Sequence, residues 1–486
     1  MRRAATRWRL ALVGACLLLG GAAGAYLPGH YGGRLTGPLS EEVVTFDPAQ
    51  AMREAELQVT ALLYDALYRR DARGRPTPQL AEALPDCDAE GRTCRIALRS
   101  GVILHDGRTL AARDVVTSLG RVRRGPHAYL LAAVQGIAVE KDQVVLRLPR
   151  ATPDLALALS APATAIAVAS RGGLTGSGPF QLAARRAGAL SLKAHATCFA
   201  GRPYVEQLEL RHFPSASAEA AAYQVGALQL SYHGTAVFGG TPRYRARPVE
   251  LSSAGAMLHL AVGAASAWLA DRRVREALGH AIDRRRLARL VGGGRSLPAE
   301  GPVDGGPLAD RWTPHGFDRG VARRLLVAAA AGHAELQSLG QGGRARVTLL
   351  VDGSRAADRA VATQLVADLD QVGLAVTVES AAASDYAARL ARGAFHLALA
   401  RVVPQLPEPA IALASVFAAA GEGAAARRCV AHGACAASDL ARLRRKLSVI
   451  PLLRTTVRLD VDARLGGFRR LGAAAVPYAD LYWLRR

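Results

Sequence analysis

The sequence predicts an α/β protein of more than one lobe, and three observations carry that expectation. The chain has 486 residues, too many for one ordinary core, so two or three lobes are expected. Half of the residues are apolar, enough to fill large cores and to argue against long disorder. Residues 346–380 read as strand, helix, strand, the unit that builds a parallel strand pair through a right-handed crossover.

Taken in order, residues 28–40 are rich in Gly and Pro and lead into the fold. Helical spacing runs from Ala51 to Tyr68 through Leu57, Leu62, Leu63 and Leu67. Thr93–Leu98 and Val102–Leu104 read as short strands around a turn, with His105-Asp106-Gly107 as a second tight turn. Asp114–Val122 places Val115, Val116, Leu119 and Val122 on one side of a helix, and Ile137–Leu148 is a hairpin turning at Lys141-Asp142. Residues 151–176 read as a small-residue helix and loop. Strands are expected at Phe180–Leu182, Leu190–Ala194 and Gln207–His212, followed by an alanine-rich helix from Ser215 to Ala227. Beyond residue 255 the pattern becomes a strand at Met257–Val262 and helices at Val274–Ile282 and Arg284–Val291, with Asp283 as an N-cap between them. A further helix covers Arg319–Ala331. In the clearest unit Val347, Leu349 and Val351 mark a strand, and Val361, Leu365, Leu369 and Val372 mark a helix face. Gly373 ends that helix, and Leu374–Val378 is the next strand. A helix at Asp385–Arg392 and a strand at Phe395–Ala400 follow.

A formal net charge of +22 suggests nucleic acid, but the distribution argues against it. Only three lysines occur (Lys141, Lys193, Lys446), there is no asparagine, and arginines are spread along the chain. That is the mark of a GC-rich coding sequence. A nucleic-acid protein concentrates its charge on a face or tail.

The amino terminus carries an export signal. Arg2, Arg3, Arg7 and Arg9 precede the uncharged run Leu10–Ala25, and Ala23-Gly24-Ala25 suits signal peptidase, with cleavage before Tyr26. Two other readings stand beside it. Val13-Gly14-Ala15-Cys16 is a loose lipobox that would lipidate Cys16, and an uncleaved run would be a short membrane anchor. All three place the bulk of the chain outside the cytoplasm. Export makes Cys87 with Cys94, and Cys429 with Cys435, candidates for small loop disulfides, and leaves Cys198 as a buried free thiol.

The search for chemistry is negative. There is no Walker A motif, HExxH, GxSxG or GxGxxG. His432 lies between two cysteines, but three clustered donors suit a disulfide loop better than a metal site. The pair Glu41-Glu42 reads as solvated. No catalytic residue, metal or cofactor is expected. An exported α/β protein of this size without catalytic motifs points to a binding receptor that holds its ligand between lobes.

Several segments, in order, resemble the family 5 extracellular solute-binding proteins, the dipeptide and oligopeptide receptors of ABC importers. They are Gly32–Leu35, Thr45-Phe46-Asp47-Pro48, Leu62–Tyr68 and Pro78–Glu82, then Leu98-Arg99-Ser100-Gly101-Val102 with His105-Asp106-Gly107-Arg108 and Ala112–Val115. Further on come Gly176-Ser177-Gly178-Pro179-Phe180, Gly201-Arg202-Pro203, Gly226–Leu230, and Val274–Leu278 with Ala281-Ile282-Asp283-Arg284.

The resemblance implies a two-lobed periplasmic solute-binding fold with an extra subdomain and a hinge. Residues 1–25 would be the signal peptide. Residues 30–54, 166–252 and 466–486 would form the base lobe, 55–165 the extra subdomain, and 253–465 the second lobe. It implies a monomer that catalyses nothing, closes on a peptide or similar small ligand in the periplasm, and docks on an inner-membrane permease–ATPase complex. Where the family's peptide receptors carry a Trp and an ammonium-binding Asp before an Asp-Pro, this chain has Val402 and Gln405 before Glu408-Pro409. A neutral amide cannot pair with an ammonium as a carboxylate does, and Arg401 nearby would favour an anion. The candidate ligand contacts are therefore Arg401 and Gln405, with Phe46, Tyr64 and Ser177. A neutral or anionic non-peptide ligand, or a sensor or scaffold role in the envelope, is the alternative.

Overall fold

The computed structural model describes residues 31–152, 154–233, 246–251, 256–263, 265–290, 296–299, 301–302, 315–454, 457–468 and 476–484. The export segment and Cys16 lie outside these. Among the described residues no helix is long and apolar enough to cross a membrane.

Three bodies emerge, each around its own core. The base body holds a four-stranded sheet in the order 34–39, 207–212, 189–194, 180–186. Its first pair is parallel, with Leu35 opposite Leu208, and the others are antiparallel. Leu35, Phe180, Leu208 and Leu210 fill its core together with Tyr478 and Leu481 from the far end of the chain.

The small body is a sheet in the order 86–87, 93–96, 143–147, 136–140 covered by the helix Ala112–Arg124. That helix buries Val115, Leu119 and Val122 at 0% exposure, each burial stabilising by about 1.5–3 kcal/mol. Its hairpin turns at Lys141 and Asp142, whose φ values of 49° and 60° give the left-handed turn that suits strand twist.

The large body is a six-stranded sheet in the order 297–298, 449–454, 257–262, 397–402, 345–352, 374–381. The strand–helix–strand unit is present. Ala345–Asp352 runs parallel to Leu374–Ala381, the helix between spans Ala356–Asp370, and Gly373 takes φ +96° at the turn. Leu349, Val361, Leu365 and Leu397 share its core with Val274 and Leu278 from the helix Arg272–Ala281. Asp283 caps the next helix through a 2.9 Å bond accepted from the Arg286 N–H.

The base and large bodies are joined by a small antiparallel sheet in the order 230–231, 457–462, 246–251. Their two cores share no residue.

Three sequence expectations need correction. The helix expected over Ala51–Tyr68 spans only Glu54–Leu63. Residues beyond Leu63 are recruited elsewhere: the Leu67 carbonyl accepts from the N–H groups of Gln79 and Ala81, and the Asp65 carbonyl accepts from Ile166 N–H. Val102–Leu104 is not a strand but one isolated bridge, Ile103 to Thr109. Cys429 does not stand at the edge of a loop. It lies in the helix Gly423–His432, the middle one of three at Pro409–Ala419, Gly423–His432 and Ala437–Lys446.

Candidate ligand cleft

The face between the base and large bodies begins with a loop whose role the sequence did not reveal, although it holds Thr45-Phe46-Asp47-Pro48 and the pair Glu41-Glu42. Residues 41–56 run from the first strand into the helix Glu54–Leu63. The Glu56 carboxylate, 2% exposed, accepts backbone N–H bonds from Val44, Thr45, Met52 and Arg53 at 3.0–3.2 Å. The bond from the N-cap Arg53 N–H satisfies one of the helix's orphan donors, and the bonds from Val44, Thr45 and Met52 fix the loop that presents Glu41, Arg53 and Glu54. Burial nevertheless raises the Glu56 carboxyl above its ordinary value, with the backbone bonds and Arg53 opposing.

Facing that loop is the end of the strand Ala345–Asp352 and the start of the helix Ala356–Asp370. Asp352 accepts from the Ser354 N–H at 2.9 Å and the Ser354 hydroxyl at 2.7 Å, a turn that holds Arg355 toward the base body. Two ion pairs cross in opposite senses. Arg53 of the base body meets Asp352 at 2.6 Å, and Arg355 of the large body meets Glu54 at 2.7 Å. Glu41 is shared, 3.0 Å from Arg53 and 3.0 Å from Arg355. At 3% exposure Glu41 is buried, which corrects its reading as a solvated carboxylate; Glu42 beside it is exposed. Further contacts join the bodies: His212 Nε2 lies 2.7 Å from the Ser354 carbonyl, and Arg359 donates to the Pro214 carbonyl at 2.9 Å.

The electrostatics follow from this arrangement. Burial alone would raise Glu54, but the Arg355 and Arg401 guanidiniums outweigh it and hold the carboxyl below its usual range. Burial likewise works against a charged Arg355, yet Glu41, Glu54 and Asp358 raise its proton affinity well above that of a free arginine.

The five sequence-nominated contacts do not converge on one point. Arg401 forms a bidentate pair with Asp358, at 2.8 and 2.5 Å, so its charge is already engaged. Gln405 is 4% exposed, and its carbonyl oxygen accepts from the Ala163 N–H at 2.9 Å, which ties the large body to the small one. Phe46 packs against the base core under the Arg185 guanidinium, 5.3 Å from the ring centroid. Tyr64 is buried in the same core. Ser177 is 1% exposed and donates to Asp65 at 2.8 Å.

The Ser177 turn is a structural joint. A Cβ on Gly178 would lie 2.5 Å from the Leu62 carbonyl oxygen, so only glycine lets the turn approach that backbone. The turn also meets His105, whose Nε2 is 2.9 Å from the Gly178 carbonyl. Asp65 in this joint is pushed up to about 6 by burial, against the bonds from Ser177 and Gln79.

Cys87 is bonded to Cys94 and Cys429 to Cys435, while Cys198 is free and buried. His432 Nδ1 lies 2.7 Å from the Arg150 guanidinium, and among the described residues no cluster of metal-ligating side chains forms. A separate cavity of about 340 Å³ lies on the large body, lined by Arg272, His315 and Arg444 among others, away from the cleft residues.

What the sequence missed is the Glu41–Arg53–Glu54–Asp352–Arg355 set. Its two halves lie 301 positions apart at Glu54 and Arg355 and 314 at Glu41 and Arg355, and no local motif joins them. The one available signal was the pair of arginines, Arg53 and Arg355, each just ahead of a helix.

Comparison with known proteins places this geometry. The model for "Bacterial extracellular solute-binding proteins, family 5 Middle" matches residues 75–424. The chain is 28% identical over 265 residues to the uncharacterized protein YhjP of Bacillus subtilis, covering 53% of this chain and 43% of that one. It is 22% identical over 285 residues to the oligopeptide-binding protein AppA of Bacillus subtilis, covering 54% and 52%. The chain thus spans about half the length of the curated relatives it matches. Among solved structures, DppA from Helicobacter pylori in complex with the peptide STSA aligns at TM-score 0.77 and 16% identity, covering 94% of this chain and 99% of that one. NikA from Brucella suis in complex with Fe(III)-EDTA aligns at TM-score 0.69 and 20% identity, covering 93% and 100%.

Proposed function

The chain belongs to family 5 of the bacterial extracellular solute-binding proteins, and from that premise we propose that it is the periplasmic receptor of an ABC importer. It captures a peptide or peptide-like small ligand between the base and large bodies by hinge closure. A permease and ATPase complex in the inner membrane is its partner. The amino-terminal run exports it, and the mature chain acts as a monomer. The lobes are those set out from the sequence: 30–54, 166–252 and 466–486 as base, 55–165 as extra subdomain, 253–465 as second lobe.

One observation supports this most strongly. The base and large bodies have separate apolar cores and meet through charged side chains, with Arg53–Asp352 at 2.6 Å and Arg355–Glu54 at 2.7 Å. Opening such a face rehydrates charges but exposes no core, which is what a hinged receptor requires. Four carboxylates (Glu41, Glu54, Asp352, Asp358) face three guanidiniums (Arg53, Arg355, Arg401), leaving one negative charge. With every guanidinium of this set already facing a carboxylate, the set offers no free cation to an anionic ligand. This also weakens the case for Arg401 as an anion contact.

A second reading has its own observation. Gln405 carries no charge and its oxygen is engaged by Ala163 N–H, so this position offers no carboxylate to a peptide's amino terminus. A neutral solute fits that position as well as a peptide does.

Native mass spectrometry of the purified chain, followed by identification of whatever co-purifies, tests the proposal. A bound short peptide supports the first reading and a neutral metabolite the second. An empty protein that shows no thermal shift across peptide and metabolite panels would sink the receptor function.

A further inference from the structure

The Arg355 guanidinium is the most enclosed of the three cations on this face. Its Nε lies 3.0 Å from Glu41 Oε2, and its Nη2 lies 3.2 Å from Glu41 Oε1 and 2.7 Å from Glu54 Oε2. The side chain is only 8% exposed and Glu41 only 4%. It arrives from the large body, while both carboxylates belong to the base body. Two carboxylates converging on one planar guanidinium from across the cleft form the recognition geometry for a cationic group. Here the protein supplies that cation itself.

Burying this set is costly unless every charge is paired, and the pairing exists only while the bodies are together. With the bodies apart, Arg355 and Glu54 would each return to water. Closure therefore gains a charge-assisted contact that owes nothing to a solute.

We propose that Arg355 is a built-in occupant of the Glu41–Glu54 subsite. It latches the two bodies together without ligand and determines specificity by excluding guanidinium and ammonium groups from that subsite. The inference rests on the receptor reading only in taking this face as the one that opens. Two consequences follow. The ligand-free protein is compact, and removal of the Arg355 side chain leaves a vacancy of defined chemistry that a free guanidinium can fill. An ammonium-bearing ligand would bind elsewhere in the cleft or displace the latch at a cost.

The test uses the full mature chain with no ligand added. Small-angle scattering compares wild type with Arg355→Ala, each titrated with ethylguanidinium in the millimolar range and with urea as a neutral planar control. Wild type is expected to be compact and unresponsive to either additive. Arg355→Ala is expected to scatter as a more extended particle and to return to the wild-type profile with ethylguanidinium but not with urea. Its affinity for ethylguanidinium should exceed that of wild type by at least about tenfold, about 1.4 kcal/mol. If circular dichroism shows that Arg355→Ala does not fold, the double variant Glu41→Gln, Glu54→Gln replaces it and should be extended with no rescue by either additive. A variant as compact as wild type, or an extended Arg355→Ala that ethylguanidinium leaves unchanged, overturns the latch. Neither result touches the receptor function, which is decided separately by whether a solute co-purifies. A solute can be present with the latch disproved, and the latch can be present with no solute found.

Discussion

The large body meets its two neighbours in chemically opposite ways. Against the base body it presents ion pairs, Arg53 with Asp352 and Arg355 with Glu41 and Glu54. Against the small body it presents oil: Tyr129, Leu130, Ala161 and Ala163 share one core with Leu413, Val416, Phe417 and Val430. A few polar bonds pin that second seam, among them Tyr129 to Ser415 at 3.0 Å, Gln405 to Ala163 at 2.9 Å and Arg70 to Glu408 at 2.7 Å. The contrast separates two jobs. Apolar contact grows with area and tolerates small shifts in geometry. A buried ion pair returns its desolvation cost only in one arrangement. The charged seam therefore behaves as a switch between joined and apart, and the apolar seam as a pivot that stays packed.

The largest effects should come from emptying each seam. Phe417→Ala removes a ring that is 0% exposed and should destabilise the protein by about 3–5 kcal/mol in urea unfolding. Arg355→Ala removes Glu54's partner at 2.7 Å and leaves Glu41 to Arg53 alone; because the opened seam lets both carboxylates rehydrate, the cost should stay below the roughly 3–5 kcal/mol of a charge stranded inside. The sharper distinction is Arg355→Met, which keeps the stem but removes the charge, combined with Glu41→Gln and Glu54→Leu. That triple change should recover most of the loss, because replacing a buried ionic set by apolar groups is often near neutral. No polar replacement of Phe417 should do so. Recovery at neither seam, or at both, would erase the contrast.

A middle-sized effect is expected at the bond that joins the apolar seam to the cleft. Gln405→Ala leaves the Ala163 N–H buried and unpaired, at about 1–3 kcal/mol. The same denaturation experiment reads it. If Gln405 instead turns to the ligand when one is bound, its substitution should lower ligand affinity more than stability.

The smallest effects concern pH, and the two joints of the base body should respond with opposite sign. Glu54 has a lowered folded value, so its contribution is complete above the unfolded carboxylate range near about 4.3 and is lost as pH falls through the folded value. Asp65, at the joint with the small body, is raised to about 6. Its folded form prefers the proton, so its favourable contribution is complete below the unfolded value near about 3.9 and is lost as pH rises through about 6. Asp65→Asn should therefore flatten the stability profile between about pH 4 and 6, whereas Glu54→Gln should flatten it only at the acid end.

The same contrast explains what could be read from the sequence. The apolar elements were legible because their signal is local. Val347, Leu349, Val351 and the helix face Val361–Leu365–Leu369 declare a strand and a helix by spacing alone, and the structure forms both. The hairpin at Lys141-Asp142 was legible for the same reason. The charged seam was not legible, because Glu41 and Arg355 stand 314 positions apart and gain meaning only when the chain folds back. A carboxylate near the start of the chain looks solvated until its partner is known. Ser177 errs in the other direction. The Gly-Ser-Gly-Pro turn stands out in sequence, but what demands it is backbone approach at Gly178 and a bond to Asp65, both inside a joint between bodies. The helix expected to reach Tyr68 stops at Leu63 because tertiary pairing at Leu67 outweighs local propensity.

The most direct test of the account is hydrogen exchange on the intact chain, with and without its co-purified solute. The amides of Ser354 to Asp358, on the charged seam, and of Val416 to Ala420, on the apolar seam, are the two reporters. The latched protein still opens transiently, so exchange at Ser354–Asp358 is expected to slow further when solute is bound, with Val416–Ala420 protected in both conditions. Protection that is unchanged by solute at the charged seam, or that is lost first at the apolar one, would contradict a receptor that opens between the base and large bodies.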